Sequence, residues 1–189
     1  MIKNEKSNDI HIYQLKITLN GVEPPIWRRI QVRSDITLLQ LHRIIQDTMG
    51  WSDVHLHQFI IDGETYSVPT PMDSFEVIDE KNRTLNQFIK KEKFQFAYEY
   101  DFGDSWYHII LVENILSPES NIHYPVCLKG KRACPPEDCG GSYGYDEILE
   151  AIQDPKHPEH EEILDWIGSD FDPEEFDLDD VNKILSRIK

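Results

Sequence analysis

The stretch FQFAYEYDFGDSWYHIILVENIL (94–116), followed by YPVCLKGKRACPPEDCGGSYGY (124–145), decides how the chain folds. Phe94, Phe96, Tyr98, Tyr100 and Phe102 alternate with Gln95, Ala97, Glu99 and Asp101. Period-two alternation puts the five aromatics on one face of a strand. Asp101-Phe102-Gly103-Asp104-Ser105 then supplies turn chemistry, with Gly free to take positive φ and Asp and Ser able to bond to nearby backbone. Trp106 to Glu113 returns with His108, Ile110 and Val112 on one side and Tyr107, Ile109 and Leu111 on the other. A strand apolar on both sides belongs in the middle of its sheet. The letters Asp101-Phe102-Gly103 match the kinase magnesium motif, but no Gly-rich loop or HRD-type loop accompanies them, so they read as a hairpin turn.

Upstream, Tyr13, Leu15, Ile17 and Leu19 mark a first strand, Asn20-Gly21 a turn, and Ile26 to Val32 a second strand beginning after Pro24-Pro25. A helix follows. Thr37 and Gln40 fit a capping box, Leu38, Leu41, Ile44, Ile45 and Met49 form one stripe, and Gly50 stands at the left-handed C-cap. Residues 55–61 read as a third strand, turned by Asp62-Gly63 and returning over 64–68. Residues 69–80 read as irregular. Thr84 and Gln87 match a second capping box opening a short helix that ends near Lys90. Downstream, helices are expected over 146–153, over 158–168, and from Leu178 to Ile188, with Asp172-Pro173 as a cap and first turn. Residues 1–9 read as a frayed tail. The expected architecture is α+β, a mixed or antiparallel sheet whose element order resembles a β-grasp (ubiquitin-like) core with an extra hairpin, plus C-terminal helices. We expect one domain over 11–188, with a sheet-rich part (11–116), a Cys/Gly/Pro loop (117–145) and an acidic helical part (146–188).

Composition narrows the function. A hydrophobic share of 39% with 11% aromatics is globular rather than disordered. No apolar run has the length of a membrane span, and the first residues lack the apolar segment of a secretory signal, so the expectation is a soluble, cytoplasmic protein without a membrane partner. The formal net charge is −16, of which residues 135–189 carry −13 from 17 acids and 4 bases. Such a surface repels phosphates and disfavours nucleic acid. Arg28, Arg29, Arg33 and Arg43 could form a local basic patch, but among so many acids Arg28 and Arg29 read as ion-pair partners.

Several residues could carry chemistry. His55 and His57, two apart on an expected strand, would share a face and could offer two imidazoles to one metal. Cys127, Cys134 and Cys139 fall within 13 residues. Their odd number argues against a closed disulfide framework, and their spacing lacks the two-residue zinc knuckle. If His55, His57 or His108 reached the cysteine loop, a zinc site of mixed nitrogen and sulfur ligands would close. Glu137 and Asp138 would raise the thiol pKa of Cys139, against a reactive thiol. The acids from Asp170 to Asp180 fail the EF-hand pattern, because Glu175 and Val181 occupy the required Gly and Glu positions. No nucleophile-elbow, P-loop or dinucleotide fingerprint is present.

The words PPIWRRI (24–30), HLHQF (55–59), YDFGDSW with His108 (100–108), PVC…ACPPEDCGGSYGY (125–145) and WIGSDFDPEEFD (166–177) resemble the Ri-plasmid ORF-three-like family over nearly the whole chain. The resemblance implies an α+β fold and no particular reaction. It places the family's signature words on a candidate functional surface of Asp101, Gly103, Asp104, Trp106, Glu137, Asp138, Gly140 and Gly141, with His55, His57, His108, Cys127, Cys134 and Cys139 as candidate metal ligands. The leading expectation is a non-enzymatic adaptor for a protein or peptide. Its alternative is a metal-dependent hydrolase or nuclease built on His55, His57, Asp101, Asp104 and the cysteine loop, with zinc as the cofactor. A third reading is a DNA-associated accessory factor of a mobile element.

Overall fold

The aromatic hairpin is the middle of an eight-stranded sheet. A computed structural model describes residues 10–70 and 77–188. Its strands are β1 (Ile12–Leu19), β2 (Trp27–Arg33), β3 (His57–Ile61), β4 (Glu64–Ser67), β5 (Ile78–Asp79), β6 (Gln95–Tyr100), β7 (Trp106–Leu116) and β8 (Val126–Lys131). They lie in the order β5-β4-β3-β6-β7-β1-β2-β8. All neighbours are antiparallel except β4 and β5, so the sheet is mixed. The helices are α1 (Leu38–Met49), α2 (Leu85–Phe88), α3 (Gly141–Gln153), α4 (His160–Ile167) and α5 (Leu178–Leu185), with a 3-10 turn over Glu80–Asn82. The protein is an α+β fold.

On β7, Trp106, His108, Ile110 and Val112 are buried, and β6 buries Phe96, Tyr98 and Tyr100 opposite them. β7 is flanked by β6 and β1, the central place that its two apolar faces require. Phe102 leaves the alternation and is exposed at the turn. α1 is punctuated as its sequence dictates. Thr37 accepts from the Gln40 amide, the Gln40 side chain accepts from the Thr37 amide, and Gly50 closes the helix at φ 91°. α1 buries Leu38, Leu41, Ile44, Ile45 and Met49 in the same core as Leu15, Ile17, Ile30 and Ile110, and Tyr145, Leu149 and Leu185 of the C-terminal helices join it.

Local departures have local causes. The strand expected from His55 starts at His57, because its pairing with β6 begins there, opposite Tyr100, the last residue of β6. Thr84 makes no capping bond to the backbone of α2; its hydroxyl goes to Asn86 instead, and the helix ends at Phe88. The end of the irregular stretch forms β5 and the 3-10 turn, while residues 1–9 and 71–76 lie outside the described residues. α3 begins at Gly141, five residues early, and α5 is capped by Asp177, whose carboxylate accepts from the Asp180 amide. Arg29 forms a bidentate pair with Glu113 at 2.6 and 2.8 Å. Arg28 has no carboxylate hydrogen-bond partner among the described residues. It is buried, and donates to the carbonyls of Trp27, Thr48 and Lys131.

Candidate functional site

Three segments meet at the β6–β7 end of the sheet: residues 51–56, the hairpin turn 100–105 and the loop 135–141. The turn holds its own shape. Asp101 and Ser105 take left-handed φ of 56° and 54°, and Asp101 Oδ1 accepts from the Gly103 amide at 2.9 Å. Asp and Ser tolerate this region because their short polar side chains bond locally. The Asp101 amide donates to the Leu56 carbonyl at 2.8 Å, which fastens the turn to the first segment.

The cysteine loop docks onto both. Trp51 Nε1 donates to the Pro135 carbonyl at 3.0 Å, and the Ser52 amide donates to Glu137 Oε2 at 3.1 Å. Tyr100 donates its hydroxyl to Glu137 Oε1 at 2.5 Å. Burial and then this bond hold the Tyr100 phenol well above its ordinary range. The Gly140 amide donates to Asp104 Oδ2 at 3.1 Å. Gly141 passes so close that a Cβ there would stand 2.7 Å from the Asp104 carbonyl oxygen.

At the junction His55 Nε2 lies 3.1 Å from Asp138 Oδ1 and 3.5 Å from Asp101 Oδ2. The nitrogen is shielded from solvent, yet neither carboxylate meets it with hydrogen-bond geometry. The ligand atoms of His55, Asp101 and Asp138 all lie within 4.8 Å of one another, an arrangement that could hold a cation. The same segments carry exposed apolar side chains: Val54 at 65%, Leu56 at 57% and Phe102 at 48% exposure. Tyr143, in the first turn of α3 beside Gly141, is also exposed.

The surface read from the sequence is therefore brought together in Asp101, Gly103, Asp104, Glu137, Asp138, Gly140 and Gly141, with His55 added. Trp106 is not part of that surface, being buried in the core beside Trp51. The mixed histidine–cysteine zinc set is not assembled. His57 is buried at the start of β3, stacked on His42, and shares no face with His55. His108 is buried on β7, edge-on to Trp51. Cys127 is on β8, three strand spacings from β7, or about 14 Å at the usual ~4.8 Å each. Among the described residues no cysteine joins a group of three close metal-ligating atoms. The three cysteines are free thiols. Burial pushes the Cys134 thiol up to about 12, and burial with the Asp104 and Asp101 charges does the same to Cys139. Cys139 is thus held as a thiol, chiefly by burial rather than by its sequence neighbours. His42, Asp53 and Glu80 were not singled out by sequence reasoning. The available signal was His42 itself, an imidazole on the apolar face of α1 between Leu38 and Ile45.

The fold and site define a class: an α+β protein with a mixed eight-stranded sheet and an acidic, histidine-bearing junction at one end. The model of the plasmid pRiA4b ORF-3-like proteins matches residues 11–180, and the chain belongs to that family. It is 37% identical over 179 residues to the uncharacterized protein y4hQ of Sinorhizobium fredii (strain NBRC 101917 / NGR234), covering 94% of this chain and 92% of that one. It is also similar to the crystal structure of a protein of unknown function, MM3350 from Methanosarcina mazei Go1. That match has a TM-score of 0.83 and 39% identity over 90% of this chain and 97% of the other. Among the described residues no helix is long and apolar enough to cross a membrane.

Proposed function

We propose that the protein is a cytoplasmic binding module that takes a short basic peptide segment with apolar side chains at the junction of residues 51–56, 100–105 and 135–141. The observation that carries this reading is the exposure of Val54, Leu56 and Phe102 in segments that meet where Asp101, Asp104, Glu137 and Asp138 lie. Apolar side chains held in solvent on neighbouring segments mark interaction surfaces. The surrounding acids, in a chain of net charge −16, favour a cationic partner and disfavour phosphates. Residues 11–188 act as one unit in this reading, supported by the core that the sheet shares with α3 and α5. The β-grasp likeness belongs here too, as a reading of the order β1, β2, α1, β3. β1 has antiparallel neighbours on both sides, so the likeness stays with the element order.

The test is selection from a displayed random-peptide library on the full chain, followed by binding measurements on Phe102→Ser and Leu56→Ser. Recovered peptides should carry Lys or Arg beside apolar residues and bind each variant at least tenfold more weakly. Recovery of no peptide, or of peptides indifferent to both substitutions, removes the reading.

A second reading rests on the convergence of His55, Asp101 and Asp138. A divalent ion there would leave open positions and could activate a water, with Asp104 as proton acceptor, in a hydrolase. Metal-dependent turnover of ester or phosphodiester substrates, lost in His55→Ala, is the result that would favour it over the peptide module.

A further inference from the structure

A separate cluster lies inside the core. The rings of His42 on α1 and His57 on β3 stack with centroids 3.5 Å apart and planes within 5°. Each meets a carboxylate: His42 Nε2 is 2.8 Å from Asp53 Oδ1, and His57 Nε2 is 3.0 Å from Glu80 Oε1. His42 Nδ1 lies 2.8 Å from the Tyr98 hydroxyl, which also accepts from Gln46 Nε2. Asp53 is half exposed and opens the cluster to solvent. Glu80 is wholly buried, and its second oxygen, Oε2, has no hydrogen-bond partner.

An unpartnered buried carboxylate oxygen is costly and calls for a counter-charge. His57 meets Glu80 through Oε1 alone, which leaves Oε2 unpaired. A divalent cation held by the two imidazoles and Asp53 would supply positive charge to the cluster. The ligand atoms of His42, Asp53 and His57 lie within 4.8 Å of one another.

We propose that His42, Asp53 and His57 bind one divalent transition ion of the zinc class, with Glu80 as the buried carboxylate that orients His57 and balances the charge. Two imidazoles and one carboxylate suit zinc, cobalt or nickel rather than calcium or magnesium. A carboxylate bonded to a ligand histidine is the usual outer support of such sites. The lone pairs of parallel rings do not converge, so ion entry rotates the imidazoles out of their stack. The bound ion would also fix residues 53–57, which carry Val54, His55 and Leu56.

The experiment uses the untagged full chain, stripped with a chelator and titrated with Co(II) and Zn(II) without any peptide. One equivalent should bind, with a cobalt visible band and a rise in melting temperature in excess metal. His42→Ala and His57→Gln should abolish binding, Glu80→Gln should weaken it roughly 10- to 100-fold, and His55→Ala should leave it intact. Because the core histidine variants can unfold, histidine ring NMR signals of the unaltered protein give an independent reading: Zn(II) should shift those of His42 and His57. Absence of saturable binding overturns the proposal. So does binding that leaves those two signals unmoved, or that disappears in His55→Ala. The peptide assay is run on metal-free protein, so either proposal can fail alone.

Discussion

The ring of Phe176 lies 4.3 Å from the guanidinium of Arg28 and covers it from the acidic C-terminal segment. The contact explains how a buried arginine without a carboxylate partner is kept. Three carbonyls accept its protons and an aromatic face meets its charge. Phe176 reaches it only because residue 130 on β8 is Gly, where a Cβ would stand 2.5 Å from the ring. Gly130→Ala should therefore cost about 1–3 kcal/mol, the usual range for overpacking. In urea unfolding, the cost should shrink when Phe176→Ala is also present, since the two residues touch. Simple additivity would show that the ring is free to move away.

The glycines at the end of the docked loop and in the first turn of α3 should rank by what each Cβ meets. At Gly144 a Cβ would fall 1.8 Å from the Cys139 carbonyl oxygen, a backbone atom that cannot swing aside. At Gly141 the distance is 2.7 Å to the Asp104 carbonyl oxygen, with φ at 71°. At Gly140 the space is ordinary and only φ of 88° opposes a side chain. Alanine should thus be most damaging at 144, then 141, and cost about 1 kcal/mol at 140. Melting temperatures of the three variants test the order, and a most severe effect at 140 would contradict it.

How much could be read from the chain follows from how local each feature is. α1 was legible to the residue because Thr37, Gln40 and Gly50 act within one or two turns. The β6–β7 hairpin was legible because alternation and turn chemistry sit side by side. The fate of His55 and His57 was not, since β3 begins only at His57 and His55 lies outside its alternation, one ring beside Asp138 and the other stacked on His42. The start of α3 was also hidden. Gly140 and Gly141 look like loop until Asp104, from the distant hairpin, lies against them. The acids and glycines of the junction do come together in space, whereas the cysteine–histidine set does not, since β1 and β2 separate Cys127 from His108.

The two threonine caps offer a matched test of this locality. Thr37 satisfies the Gln40 amide at 3.2 Å, whereas Thr84 makes no cap bond to the backbone. Thr37→Ala should lower stability by about 0.5–2 kcal/mol. Thr84→Ala should lose clearly less, although both sequences carry the same box. Equal losses in parallel denaturant titrations would mean that the Thr84 hydroxyl contributes through its bond to Asn86 as strongly as a cap does.

His108 should make stability depend on pH in the acid range. Burial holds its imidazole down to about 4, from an ordinary 6.5, and its ring nitrogens have no hydrogen bond of good geometry to any described group. Between those values the unfolded chain binds a proton that the native protein refuses, so stability falls as pH drops. The contribution is complete above about 6.5 and is lost as pH falls through about 4, below which the loss levels off. Each pH unit of that window is worth about 1.4 kcal/mol, so the total is about 3 kcal/mol. His42, also held near 4, adds a slope of the same sign. His108→Leu removes the titrating group together with two unpaired polar atoms. It should be neutral or stabilising at pH 7, and its stability should fall less than that of the unaltered protein between pH 7 and 4.5. Equal slopes for the two proteins would mean that His108 takes up its proton equally in the folded and unfolded chain.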